Sequence, residues 1–166
     1  MSFAHIQTPS VLVDLDIAEA NIDRFQAYCD SHGLGLRPHI KAHKMNPHAR
    51  RQIAARAMGN TSQKLRDAEA MIESGGIEDV LLTYNVLGAE KLARLRALAQ
   101  RVRLTVVADN STVVKGLSAA FAGEQPLRGL VECDTGANRC GVLTPEDAVE
   151  LAAEIAALPA LKFDGF

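Results

Sequence analysis

Arg37, His39, Lys41 and His43 occupy every second position of the stretch Leu36-Arg37-Pro38-His39-Ile40-Lys41-Ala42-His43-Lys44. With the two-residue period of a β-strand they share one face, and Pro38, Ile40 and Ala42 share the other, where they can pack against helices. In a parallel barrel the first face is the interior. An ammonium is costly to bury there unless its pKa falls or its amine becomes covalently occupied. A Schiff base does the second, which makes Lys41 the candidate catalytic residue. His39 and His43, on the same face, are placed to tune or orient a bound group. A solvated basic edge strand is the plain alternative, but the flanking pattern makes this strand the first of a parallel series. A metal site on one helix face, from the four-residue spacing of the two histidines, is opposed by Pro38 and by the short run before Asn46-Pro47.

The elements that would carry these residues alternate along the chain. Ser10 to Leu15 reads as a strand. Asp16 then caps a helix with Glu19 at the capping-box position, and Ala18, Ile22, Phe25 and Cys29 form its apolar face as far as Gly33. After the central strand, Asn46-Pro47 opens a second helix that ends before Gly59. A short strand over 58–63 and a helix over 66–74 follow, stopped by Gly75-Gly76. Strands are predicted over 78–85, 104–109, 127–134 and 161–166. Helices between them carry Leu92, Leu95 and Leu98, then Val114, Leu117 and Phe121 behind Asn110 or Ser111, then Ala148, Leu151, Ile155 and Leu158 behind Thr144-Pro145.

Strand and helix alternating in this way predict an α/β fold of parallel βα units with helices outside. Counted from the Lys41 strand there are six strands. A closed (β/α)8 barrel needs eight and typically about 250 residues. The expectation is therefore an incomplete parallel TIM-type barrel, about six of eight strands, or an open sheet of six.

Polar residues fall at the carboxyl ends of these strands, the rim where ligands bind in both architectures. They include Lys41 and His43, Gln63 and Lys64, Tyr84 and Asn85, Asp109 and Asn110, and the run from Asp134 to Arg139. For Asn110, helix capping is the stronger explanation. The loop Asp134-Thr135-Gly136-Ala137-Asn138-Arg139-Cys140-Gly141 leaves a strand, turns on Gly136 and projects Arg139, a donor to an anionic oxygen.

Bulk properties narrow the function classes. The 166 residues are 48% hydrophobic and 23% charged, with a net charge of −2. Basic residues are scattered beside acidic ones and aromatics are 4%, which opposes a nucleic-acid partner. No apolar run is long enough to span a bilayer and the start lacks signal-peptide character, so no membrane association and a cytoplasmic location are expected. Three cysteines without CxxC spacing indicate free thiols, and Cys140 reads as a small packed residue. No phosphate loop or dinucleotide motif is present.

The Arg37 to Lys44 block, Thr8-Pro9 through Asp16, Gln63-Lys64 and Asp134 to Gly141 together resemble the fold-type III pyridoxal phosphate enzymes, the alanine racemase family, and within it the D-threonine aldolase and D-serine dehydratase branch. The resemblance covers essentially the whole chain. It implies that Lys41 binds the pyridoxal phosphate aldehyde, that Arg139 hydrogen-bonds the phenolic oxygen of the cofactor, and that His39, His43 and Gln63 line the site. It also implies a lyase acting on D-3-hydroxy amino acids, by retro-aldol cleavage to glycine and an aldehyde or by elimination. A non-catalytic pyridoxal phosphate carrier and an amino-acid racemase are the alternatives. A divalent metal (Mn, Mg or Zn) and a homodimer are implied for the complete protein, with the metal ligands outside this chain. On this reading residues 1–16 form a strand that pairs with an absent C-terminal β domain, and 17–166 are a partial barrel expected to be inactive alone.

Overall fold

In the computed structural model, which describes residues 3–166, five parallel strands form one sheet in the order of the chain. They are β1 (Asn60–Ser62), β2 (Asp79–Leu82), β3 (Arg103–Ala108), β4 (Leu127–Val131) and β5 (Leu161–Gly165). Six helices accompany them: α1 (Leu15–Ser31), α2 (Asn46–Ala54), α3 (Leu65–Glu73), α4 (Ala89–Ala99), α5 (Ser111–Ala120) and α6 (Pro145–Ala157). Each neighbouring pair of strands is joined through one helix, so every crossover places a helix on the same side of the sheet. No helix is long and apolar enough to cross a membrane among the described residues.

Alternation along the strands decides which residues meet the helices. Val80, Leu82, Leu104, Val106, Ala108, Leu127, Val131 and Leu161 join one buried cluster with Leu65, Leu95, Val113, Leu117, Leu151 and Ile155 of the helices. The opposite face carries Asp79, Leu81, Thr105, Val107, Arg128 and Leu130, and it is the concave side. At its amino-terminal end Asp79 accepts a 2.6 Å hydrogen bond from Arg37 and is also ion-paired with Arg103. Further round, Arg128 donates to Asp164 at 2.7 Å. Gly59 makes room for the first of these clusters, since a Cβ there would lie 2.3 Å from the Arg37 guanidinium and 2.7 Å from the Asp79 carbonyl.

One predicted strand is corrected, and a second has no partner strand among the described residues. The segment from Leu36 runs beside β1, with Met58 N–H donating to Leu36 O, Thr61 N–H to Pro38 O and Ile40 N–H to Thr61 O. It forms only a single parallel bridge, His39 to Thr61, before the chain turns. Lys44 N–H bonds back to Ile40 O at 2.8 Å and Lys44 itself adopts φ 49°, so 41–44 are a turn and not the end of a strand. The sheet thus has five strands and this bridge where six strands were predicted. Residues 10–14 pair with no strand among the described residues, and Leu15 already belongs to α1.

The first helix cap shifts for a related reason. Asp14, not Asp16, is the N-cap: its carboxylate accepts from Ile17 N–H at 3.1 Å, while Asp16 sits in the first turn, where a negative charge suits the helix dipole. Glu19 is not engaged in a capping box and is ion-paired with Arg51 of α2. The choice between Asn110 and Ser111 resolves to Asn110, whose side chain accepts from Val113 N–H at 3.0 Å. Thr144 caps α6 as predicted, with Pro145 in the first turn.

Candidate active site

The carboxyl ends of the strands, the turn 41–44 and the loop after β4 form one rim. Lys41 stands on it, exposed, at the start of the turn. It makes no ion pair among the described residues, whereas the Lys44 ammonium is 3.8 Å from a carboxylate oxygen of Asp67 on α3. The Lys44 ammonium thus has a carboxylate neighbour on α3, and the Lys41 amine has none among the described residues.

Each histidine folds its ring onto the backbone two residues ahead. His39 Nδ1 accepts from Lys41 N–H at 3.2 Å, and His43 Nδ1 accepts from Met45 N–H at 3.0 Å. Accepting at Nδ1 puts the proton of the neutral ring on Nε2 in both cases. The His43 Nε2 is buried without a partner among the described residues, and the His43 ring lies 5.7 Å from that of His48. Burial, and then the positive charge of Lys41, holds the His39 pKa below the ordinary histidine value. Burial, and then His48, does the same for His43.

A pH dependence follows from those directions. The unfolded chain takes up protons near the ordinary value of 6.5 while the folded rings still resist them. Between 6.5 and the lower folded values the unfolded state binds more protons, so stability is full above 6.5 and declines as the pH falls through it. Urea midpoints measured from about pH 7.5 down to pH 5 should fall, and a His39→Gln, His43→Gln double variant should flatten that part of the curve. An unchanged slope in the double variant would assign the decline to other groups.

The loop after β4 is built around Asp134. Its two carboxylate oxygens accept from Gly136 N–H at 2.7 Å and Arg139 N–H at 3.2 Å, and these backbone donors lower its pKa against a smaller opposing effect of burial. The loop then returns to its own strand: Asp134 N–H bonds Val142 O and Val142 N–H bonds Glu132 O, around a bridge between Cys133 and Val142. Gly141 is obligatory, with φ 104° and with a Cβ that would fall 2.5 Å from Asp134 N. Arg139 is held at the exposed crown of this loop. Cys140, predicted as a packed residue, is only partly buried, and its thiol donates to Glu132 at 3.0 Å; that carboxylate is the main cause of its raised pKa.

Gln63 is exposed just beyond β1, in a cleft it shares with Lys64, Arg66, Tyr84 and Lys91. Since His39 lies beside Thr61, Gln63 follows the same edge as Lys41. The structure therefore brings Lys41, His39, His43 and Gln63 to one sector of the rim and Arg139 to another. Between them sit Tyr84 and Asn85 beyond β2 and Asp109 beyond β3. No group of three or more metal-binding side chains occurs among the described residues.

The family model for the alanine racemase N-terminal domain matches residues 13–166. The chain belongs to that family. Among curated relatives of this alanine racemase N-terminal domain, the D-threonine aldolase of Arthrobacter sp is 39% identical over 164 residues, which are 98% of the chain and 43% of that protein. The D-threo-3-hydroxyaspartate dehydratase of Delftia sp. strain HT23 is 32% identical over 149 residues, 89% of the chain and 39% of that protein. Among solved structures, D-threonine aldolase from Filomicrobium marinum is similar with a TM-score of 0.93 and 38% identity, covering 99% of this chain and 44% of that one. The chain thus spans less than half the length of the relatives it matches, and the five-stranded sheet is an incomplete barrel of the alanine racemase type.

Asp109 is a rim residue whose role the sequence signals only indirectly. Asp109 and Asn110 stand together after a strand, and only one of the two can cap the helix that follows. Asn110 does so, which leaves the Asp109 carboxylate free for other partners at the rim. That doublet is the signal that could have marked it.

Proposed function

We propose that this chain is the cofactor-bearing part of a pyridoxal phosphate-dependent lyase that acts on D-3-hydroxy amino acids, with retro-aldol cleavage to glycine and an aldehyde as its reaction. The observation that carries the reading is the unpaired amine of Lys41 on the rim, between two histidines kept neutral, in a chain of this family. The higher identity and fuller coverage of the aldolase relative favour cleavage over elimination.

The rim fits such a group. Among the described residues it offers an amine without an ion pair, an exposed guanidinium at Arg139 that makes no salt bridge, and two buried polar atoms without partners, His43 Nε2 and Asn85 Oδ1. Pyridoxal phosphate, when bound, supplies an aldehyde for an amine and a sink for the electron pair released at Cα of the substrate. Lys41 would hold it covalently and Arg139 would donate to its phenolic oxygen. His39 and His43 carry their protons on Nε2 in the neutral state, so they serve as donors that orient a bound oxygen. They are not poised as the base that takes the 3-hydroxyl proton. Gln63 adds an amide to the same edge. We place the divalent metal of the proposed reaction on residues outside this chain. We further propose that the apolar run Val11, Leu12 and Val13, of which Val11 is 92% exposed, is covered by a further β domain and that the protein is a cytoplasmic homodimer.

The test is borohydride reduction of the purified protein with pyridoxal phosphate, followed by peptide mapping. A reduced phosphopyridoxyl group on Lys41 is expected. An adduct on Lys44 or on no lysine overturns the assignment. Turnover of a D-3-hydroxy amino acid by the complete protein to glycine and aldehyde, rather than to a keto acid and ammonia, separates the aldolase from the dehydratase.

A further inference from the structure

Three backbone segments of the rim meet on one carboxylate. Asp109 follows the last residue of β3. Its Oδ1 accepts from Asn85 Nδ2 at 2.6 Å and from Asn110 Nδ2 at 2.7 Å, and its Oδ2 accepts from the backbone N–H of Gly141 at 3.1 Å. These donors belong to the exit of β2, the cap of α5 and the far end of the loop that carries Arg139.

The Arg139 loop closes on itself through Asp134 and the Val142 ladder, which fixes its shape. Its placement against the rest of the rim is a separate matter. Glu132 N–H continues the sheet to Ala108 O at the start of the loop. At its end, the hydrogen bond from Gly141 to Asp109 is the one side-chain hydrogen bond from another strand among the described residues. Gly141 cannot shift to find another acceptor cheaply, because its backbone is packed against Cys133 and Asp134. Burial acts to raise the Asp109 pKa, but the Gly141, Asn85 and Asn110 donors together outweigh it and leave the carboxylate below its ordinary value, so it stays charged. A charged acceptor makes a stronger hydrogen bond than a neutral amide would.

We infer that Asp109 is a positioning residue that anchors the β4–α6 loop, and with it Arg139, to the exits of β2 and β3. The role of Arg139 toward the cofactor rests on the function proposed above; the anchoring of the loop does not.

The test compares hydrogen–deuterium exchange in the wild-type protein, Asp109→Asn and Asn110→Ser, each without added cofactor and then with pyridoxal phosphate. Asp109→Asn keeps the shape but cannot accept from all three donors. Amides of residues 132–143 should exchange about tenfold faster or more, while α3 and β2 keep their protection. Asn110→Ser keeps a good helix cap and the Gly141 bond but removes one of the three donors to Asp109, so the loop should exchange only slightly faster than in wild type and far less than in Asp109→Asn. With cofactor, Asp109→Asn should bind about tenfold more weakly and shift the absorbance band of the bound form, with the adduct still on Lys41. Should Asp109→Asn not fold, Asn85→Ser, which removes one donor to the same carboxylate, should loosen the same peptides to a smaller degree. Unchanged exchange across 132–143 in Asp109→Asn overturns the anchoring. Faster exchange there, in a protein whose wild type takes up no pyridoxal phosphate, upholds the anchoring and refutes the proposed function instead.

Discussion

In a complete protein with the proposed function, replacing Lys41 by Ala is expected to abolish covalent capture of pyridoxal phosphate and to lower turnover of a D-3-hydroxy amino acid by at least about a thousandfold. The size of the effect follows from the poor placement of the nearest lysine in the chain to replace it. Lys44 is three residues away, but it sits at a left-handed turn and its ammonium is directed to Asp67. Moving it to the rim would break that contact and the turn together. Lys44→Ala should therefore retain the adduct on Lys41 and most of the activity. The measurement is the mass of the reduced peptide covering residues 37–50, alongside initial rates. If Lys41→Ala keeps its activity and carries the adduct on Lys44, the turn is more pliable than its hydrogen bond from Lys44 N–H to Ile40 O implies.

The second large effect lies at the other end of the strands. Asp79 is buried, with 10% of its side chain exposed, and it compensates both Arg37, at 18%, and Arg103. Asp79→Ala would leave two guanidinium groups facing each other across the space that Gly59 keeps open. Removing one partner of a buried ion pair costs several kcal/mol because the remaining charge stays desolvated. A loss of about 3 kcal/mol in unfolding free energy is expected, toward the low end of that range because Arg103 reaches solvent. Asp164→Ala provides the comparison. It breaks the pair with Arg128, whose side chain is 33% exposed, and should cost about 1 kcal/mol or less. Urea denaturation of both variants gives the two numbers. Equal losses would mean that the Asp79 cluster is solvated in the protein and contributes no more than a surface pair.

The Arg37 side chain illustrates how much of this was legible beforehand. Period-two reading placed Arg37, His39 and Lys41 on one face, and the structure keeps the first two on the concave side: Arg37 reaches Asp79, and His39 lies beside Thr61. That face is dictated by Ile40, which is buried among the helices and fixes the parity of its neighbours. The extent of the strand was not legible. Two ring nitrogens capping the backbone of Lys41 and Met45 favour a turn over a ladder, and side-chain to backbone competition of this kind leaves no mark in hydrophobic periodicity.

By itself the sequence determined the alternating strand and helix order from β1 onward, the buried faces and the cap at Thr144, and it offered Lys41 and Arg139 as candidates. These are local properties, set by the spacing of apolar residues and by short-range capping chemistry. Only the tertiary structure decided that Lys44 is paired and Lys41 is not, that Asp79 joins two arginines, and that one carboxylate at Asp109 gathers the exits of β2 and β3 with the loop of Arg139. Those contacts join residues 23 to 42 positions apart, in register only after the sheet has formed, and no periodicity along the chain records which strand ends will lie side by side.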